Sequence, residues 1–445
     1  MIFDVAIIGS GFAGALTACL LRRLGKSVLL IERHCHPRFA IGESSTPAAD
    51  LILRTLCDRY ELPAIRPLSR YGTWCRTYPA VRRGCKRGFS YFFHENGREF
   101  SSADRRHELL VAANVDEEHA DTHWMRSDVD AFLCQQAIRL GAAYHDHTEV
   151  LDVHREPHAW SLALRRNRNT VTRRCSILVD ASGPAGVLGH RLSLKRRDRP
   201  FRTATRAAYG HATGIKPWTA ELRHKGIDTT DYPFQPHRSV IHHITSRFWV
   251  WEIPFDDGTT SLGLVAPQGL RPSGMAEPGA AESFGRSEAD TPMSWDRLLA
   301  PFPALARRLG TPRWCAPRDA PRPTGRLQRQ WTRFADADWV MLPHTAGFVD
   351  PLHSTGIAQS LAAIEWLLPN YFHVHPRVRA AAAAAYQRRL DAEFDLIDRL
   401  IWPCYAALAD FGRFQALTMP YFAAATTYEQ RRSESAVPPA FLCAD

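Results

Sequence analysis

The sequence predicts an α/β fold in which a doubly wound, Rossmann-like domain is interleaved with a β-sheet-rich domain and followed by a C-terminal helical region. Three observations carry this expectation. An apolar strand near the N-terminus runs directly into closely spaced glycines and a helix, short strand-like runs fill the middle of the chain, and helical periodicity dominates its end. At 445 residues the chain exceeds what one compact core holds, so two or three domains are expected.

The opening segment, "FDVAIIGSGFAGALTACLLRRLGKSVLLIER", is the most informative. A buried strand, Val5 to Ile8, meets Gly9, Gly11 and Gly14. Leu16, Cys19, Leu20 and Leu24 follow at helical period, Gly25 ends the helix, and a second strand, Ser27 to Ile31, finishes in Glu32. This is the dinucleotide fingerprint in its strand–turn–helix–strand context. The glycines let backbone N–H groups approach a pyrophosphate, and the helix N-terminus favours its negative charge. Glu32, eighteen residues beyond Gly14, is spaced to accept hydrogen bonds from ribose hydroxyls. The competing reading, a glycine-rich turn with no ligand, leaves that context unexplained.

The remaining elements follow in order. Arg126 to Gly141, "RSDVDAFLCQQAIRLG", reads as an amphipathic helix opened by Ser127 or Asp128. Strands are expected around His145 to Val153, Trp160 to Leu164 and Ser176 to Val179, the last entering "DASGPAG". Short strands then span about Ala204 to Val265, including the hairpin "FWVWEIPFDDGTTSLGLVA" with its turn at Asp257-Gly258. Pro267 to Thr291, rich in Gly, Ala, Pro, Ser and Glu, reads as a long exposed loop. A strand, Trp339 to Leu342, precedes "GFVDPLHSTGIA", whose helix is expected from about Gly356 to Leu368. From Pro376 to about Leu408 the chain is helical, with Leu390, Phe394, Ile397 and Ile401 along one face. The expected division is 1–190 for the first part of the doubly wound domain, carrying an inserted segment at about 60–120. Residues 191–330 form a mainly antiparallel sheet, 331–375 the final part of the first domain, and 376–445 the helical region.

Composition narrows the function. The formal charge of +10 comes largely from arginine, as in "LRRNRNTVTRR", Leu164 to Arg174, whose alternation suggests a solvated edge strand. With no interleaved basic–aromatic platform, nucleic acid is not an expected partner, while a basic surface favours anionic cofactors and acidic partners. Ten cysteines without a Cys-x-x-Cys pair read as reduced thiols. His145 and His147 can share a strand face and His242 and His243 point oppositely, but neither pair resembles a zinc signature, so no metal is expected. The longest apolar runs fall short of a membrane span, Arg22 and Arg23 interrupt the N-terminal one, and no signal peptide fits before the first strand; a cytoplasmic protein without a stable membrane anchor is expected.

"GSGFAG", Glu32-Arg33, "IGES" at Ile41 to Ser44, the Arg126 helix with Asp130, and "DASG" at Asp180 to Gly183 together resemble the FAD-binding half of the class-A flavoprotein monooxygenases. "WVWEIP", Trp249 to Pro254, is similar to the Trp-x-Trp-x-Ile-Pro signature of the flavin-dependent halogenases. Phe348, Pro351, Ser354 and Gly356 match the same family's Phe-x-x-Pro-x-x-Ser-x-Gly pattern, and "CKRGFSYFF", Cys85 to Phe93, sits where that family carries its lysine-bearing strand. In motif order the resemblance spans roughly residues 1 to 370.

The resemblance implies an enzyme whose FAD is held by Gly9, Gly11, Ala13, Gly14, Glu32, Arg33, Glu43, Ser44, Arg126, Asp180, Gly183, Phe348 and Pro351. It implies that reduced FAD reacts with O2 to a C4a-hydroperoxide, which chloride or bromide attacks to give hypohalous acid. The absence of a second dinucleotide fingerprint fits a separate flavin reductase as the source of reduced FAD. Thr355 and Gly356 are the implied halide donors, although a plain helix start after a proline turn has the same spacing. Trp249 and Trp251, on one strand face, are implied to shield the substrate from the flavin; alternating tryptophans in core packing look the same. Lys86 is the implied catalytic residue, guiding hypohalous acid by hydrogen bonding or as a haloamine, and the alternative is a solvated lysine among Arg82, Arg83 and Arg87.

Two departures sharpen the reading. His353 stands where tryptophan-acting halogenases carry a glutamate, which implies a phenol- or pyrrole-type enzyme acting on an electron-rich aromatic or enol-like small molecule, free or tethered to an acidic carrier protein. His353 is either a catalytic base or a packed histidine pinning the loop. Pro343 and His344 replace the Gly-Asp that usually contacts the ribityl chain, which implies exchangeable FAD. The same scaffold also carries hydroxylases, dehydrogenases and reductases, and a flavoprotein without turnover is the third possibility.

Overall fold

Two eight-stranded sheets organise the chain. The structure, a computed structural model, describes residues 2–102, 104–268, 294–434 and 439–442. The expected loop from Pro267 to Thr291 lies, after its first two residues, outside the described residues.

Six strands of the first sheet run in the order Ala335–Asp336, Trp339–Met341, Asn169–Asp180, Ile2–Ile8, Val28–Ile31, Ala143–His145, and the other two, Trp160–Arg166 and then Thr148–Arg155, extend from Asn169–Asp180 with each pair antiparallel. Among those six, all but the first are parallel to their neighbours. Strands covered on both faces carry unbroken apolar runs, which is why Val5–Ile8 and Val28–Ile31 lack polar alternation. The helix Phe12–Arg23 buries Phe12, Leu16 and Leu20 and packs beside Arg126–Arg139, where the Cys19 thiol donates to the Leu133 carbonyl.

Seven strands of the second sheet are ordered Arg313–Ala316, Thr205–Thr213, Thr259–Pro267, Trp249–Pro254, Val240–Thr245, Gly88–His94, Glu108–Ala112, and the eighth, Arg322–Arg326, also pairs with Thr205–Thr213. Neighbours in this sheet are antiparallel except Val240–Thr245 beside Gly88–His94. A separate two-stranded ladder, Arg83–Lys86 with Asp121–Trp124, sets Lys86 directly opposite Asp121. The expected hairpin forms between Trp249–Pro254 and Thr259–Pro267, with Gly258 at φ +82° in its turn.

The C-terminal region is two long helices, Arg379–Ala406 and Phe411–Glu434, packed on one another. The second falls within the expected helical region 376–445, where the sequence delimits no element beyond about Leu408. The first is tied to the sheets by Tyr386, whose hydroxyl donates to the Met341 carbonyl, and by Tyr405, which accepts from Trp249. Phe394 adds packing, its ring 6.0 Å from Phe201 and 6.4 Å from Phe334, and any side chain at Gly347 would strike it. Among the described residues no helix is long and apolar enough to cross a membrane.

Several local expectations are corrected. Leu164 to Arg174 is not an edge strand but a hairpin between Trp160–Arg166 and Asn169–Asp180, turning at Asn167, φ +55°, a conformation asparagine tolerates. His145 ends its strand and His147 adopts φ +43° beyond it, so the two share no strand face. The Arg126 helix begins at Arg126 itself, with Met125 at its cap, and the loop helix begins one residue early, at Thr355. Because Phe394 is 1% exposed, Phe394→Ala should cost about 3–5 kcal/mol, read as a lowered urea midpoint at unchanged m-value.

Candidate active site

At the N-terminal turn the glycines do what their spacing requires. Gly9 sits at φ +102°, and a Cβ there would lie 2.5 Å from the Ala181 carbonyl oxygen. A Cβ at Gly14 would lie 2.0 Å from the Gly9 carbonyl oxygen, so only glycine lets helix and strand approach this closely. Gly11 caps the helix without any side chain, which leaves the Ala13 amide of the first turn for a phosphate ligand.

An ionic lattice backs this turn. Asp130, fully buried, accepts the Phe12 amide at 3.1 Å and both arms of Arg126 at 2.8 and 3.0 Å. Arg126 also holds the carbonyls of Ile41 and Gly42, and so fixes the "IGES" segment. Glu32 accepts from the Ser10 amide and hydroxyl, the His34 amide and Arg38. Burial pushes the Glu32 carboxyl up, but Arg38 and those amide bonds outweigh it and hold it at about 2, a permanent anion beside the turn. Arg33 points to the surface against His34; Arg38 is the arginine that reaches Glu32. The buried Nε of Arg38 and Nδ1 of His36 have no partner among the described residues, and both residues adjoin the turn. A glycine cradle, a helix start with no side chain at its cap and the spare buried Nε donor of Arg38 fit a dinucleotide.

The other predicted cofactor residues lie on the elements around this turn. Glu43 is bound by His211 Nε2 at 2.6 Å, and the buried Ser44 hydroxyl lacks a partner among the described residues. Asp180 accepts the amides of Ser182 and Leu188, and the Gly183 amide donates to Thr345. Phe348 packs edge-on to His344, under Arg329. The Pro351 carbonyl accepts the Ser354 amide, closing the turn that sets Ser354 at φ +56° and starts the helix Thr355–Leu367 with no side-chain cap. His344 lies over this helix start, its Nε2 2.6 Å from where a Cβ on Gly356 would stand.

The tryptophan pair forms a wall. Trp249 and Trp251 lie 6.1 Å apart on one strand face, and Trp251 stacks on Tyr209, which stacks on Phe39 beside the cradle. Trp249 donates to the Tyr405 hydroxyl at 2.8 Å, which in turn donates to Asp350 of the loop. Burial raises the Asp350 carboxyl to about 7 despite these bonds.

Beyond the wall Lys86 and His353 face one aromatic layer. Lys86 has no exposed surface; its ammonium donates to the Ser45 carbonyl and stands 3.9 Å over Phe89. Phe89 meets Phe422 at 5.1 Å and Tyr421 at 6.5 Å, and Tyr421 stacks on His353 at 4.4 Å. Burial lowers Lys86 to about 8, against the pull of Asp121 and Asp50. His353, equally buried, is held neutral at about 3 by burial and by His242. Its ring nitrogens face the Tyr91 hydroxyl and the Cys404 thiol.

A doubly wound sheet with this cradle defines a flavin- or nicotinamide-binding oxidoreductase, and the comparisons decide between them. The sequence profile described as FAD dependent oxidoreductase matches residues 4–348. The chain belongs to that family, as a member of the flavin-dependent halogenases within it, with FAD as its cofactor. It is 28% identical over 417 residues to the monodechloroaminopyrrolnitrin halogenase PrnC of Pseudomonas fluorescens, covering 93% of this chain and 70% of that one. The tetracycline 7-halogenase of Kitasatospora aureofaciens is 27% identical over 375 residues, 82% of this chain and 63% of its own length. The crystal structure of halogenase PltM in complex with phloroglucinol and FAD shares the fold, at TM-score 0.83 and 23% identity over 97% of this chain and 82% of that one.

Sequence reasoning missed Arg38, Tyr405, Tyr421, Phe422 and the acids beside Lys86. For the C-terminal group a signal existed: Phe411, Phe414, Thr418, Tyr421 and Tyr428 are buried at helical spacing. Two outcomes are expected. Asp130→Asn, which weakens the Arg126 and Phe12 bonds, should reduce FAD affinity by about tenfold or more in calorimetry. His353 is protonated in the unfolded chain below about pH 6.5 but not in the fold, so stability must fall as pH falls. Relative to His353→Phe, the wild type should therefore lose about 1.4 kcal/mol per pH unit from 6.5 toward 3.

Proposed function

We propose that the chain is a two-component flavin-dependent halogenase acting on a small electron-rich aromatic or enol-like substrate. Bound reduced FAD, with O2 and chloride or bromide, supplies hypohalous acid. A separate flavin reductase delivers the reduced cofactor. The amides of Thr355 and Gly356, at an uncapped helix start, hold the halide. Trp249 and Trp251 keep the organic substrate away from the flavin, and Tyr405 locks that wall to the loop.

Lys86 positions the oxidant. The observation that carries the reading is a lysine with no exposed surface set on the same aromatic layer as the loop that follows the tryptophan wall. In so dry a site an N–H donor orients hypohalous acid far more strongly than in water. Phe89, Tyr421 and Phe422 then face a flat, electron-rich ring. His353, neutral and stacked on Tyr421, pins the loop and is too weak a base to take a proton at neutral pH.

Protein given reduced FAD, O2, bromide and a panel of phenols, pyrroles and carrier-tethered pyrroles should yield a product heavier by bromine in place of hydrogen. Reduced nicotinamide should not be consumed without an added reductase. A halide-independent gain of oxygen contradicts the reading. Lys86→Ala should lower product yield by about 100-fold or more while oxidant still reaches an added diketone trap; an unchanged yield removes Lys86 from the site.

A further inference from the structure

Lys86 is buried with two acids that nothing else explains. Asp121 lies opposite it across the Arg83–Lys86 ladder, and Asp50 stands in the first turn of the helix Pro47–Arg59. Relative exposures are 0% for Lys86, 1% for Asp121 and 3% for Asp50. Neither oxygen of Asp50, nor Oδ2 of Asp121, has an N–H or O–H donor in hydrogen-bonding geometry among the described residues. The two carboxyl groups meet each other, with the Ser45 side chain beside Asp50 and the Asn114 side chain beside Asp121. Two carboxylates in contact in a dry site cannot both ionise, and a hydrogen bond between them needs a proton.

We propose that Asp50 and Asp121 are positioning residues that share one proton, and that the single negative charge left on the pair keeps Lys86 an ammonium. Other groups also face this cluster. Arg54, one turn along the Asp50 helix, is partly exposed and spends a bond on the Ser69 carbonyl. Glu429, from the last helix, is raised to about 7 by burial and then by Asp121, so it adds little negative charge at neutral pH. His123 and His242 are held neutral at about 3, by burial foremost, and supply no countercharge. Burial alone strips a lysine of its proton; an anion beside it restores it. The same burial raises Asp50 well above the ordinary carboxylate range and Asp121 to about 6, as a shared proton requires.

This deepens the proposed function by deciding between two roles for the lysine. An ammonium has no lone pair, so it donates N–H to hypohalous acid and forms no N–halogen bond. Without the pair, the free amine attacks the halogen: the N–halogen bond forms as the O–halogen bond breaks, and one N–H proton leaves with the hydroxide as water.

The test reads the charge without turnover. Cyanate, as small as the oxidant, carbamylates only the free amine, and mass spectrometry reports modification of Lys86. In the wild type, Lys86 should titrate near 8. Asp50→Asn and Asp121→Asn each leave one carboxyl able to ionise, so each alone should change the rate at pH 7 by less than about threefold. The double variant should react about fivefold faster at pH 7, the gain in free amine when a pKa near 8 falls by one unit. Its halogenation profile should lose its alkaline limb one unit earlier, with FAD binding unchanged. Infrared difference spectra need only the single variants: each should lose a protonated-carboxyl band and keep one carboxylate. An unchanged double variant, single variants that shift as far as the double, or no protonated-carboxyl band to lose would each overturn the proposal. If the chain halogenates nothing, the cyanate and infrared readings still stand or fall alone.

Discussion

A lysine ammonium with no exposed surface is the constraint on which the rest of the site turns. Burying an unpaired charge is costly, and a protein does it only where surrounding groups return the lost solvation. Around Lys86 they come from separate parts of the chain: the Ser45 carbonyl, the Asp121 strand, the Asp50 helix and the ring of Phe89. The last helix closes the layer with Tyr421 and Phe422. The last helix is therefore part of the layer that buries Lys86.

The cofactor side is built on the opposite principle, with charges paired rather than starved. Asp130, Arg126, Arg38 and Glu32 form a lattice anchored to backbone amides and carbonyls, which fixes the glycine turn before any ligand arrives. The tryptophan pair is hydrogen-bonded through Tyr405 to Asp350, in the loop that precedes the helix Thr355–Leu367.

Legibility followed the range of the interactions. The glycine fingerprint, the Asp257-Gly258 hairpin and the helix after Ser354 depend on neighbours in sequence, and the sequence reading located each within a residue or two. The hairpin at Asn167 was missed because its turn carries one asparagine amid arginines, and periodicity cannot count strands across it. Arg38 was passed over for Arg33 because both lie near Glu32 and only the fold shows which one turns inward. The acids beside Lys86 lie 36 residues before it and 35 after it. No spacing rule links them; a strand register and a helix start bring them together.

The account's central claim is that oxidant never leaves the protein between the halide loop and Lys86. Free methionine, added in rising excess to the halogenation assay, captures any hypohalous acid that escapes into solution. The account predicts that product yield stays constant as methionine rises, until Lys86 is removed. A yield that collapses in the wild type with the first equivalents of methionine would contradict it.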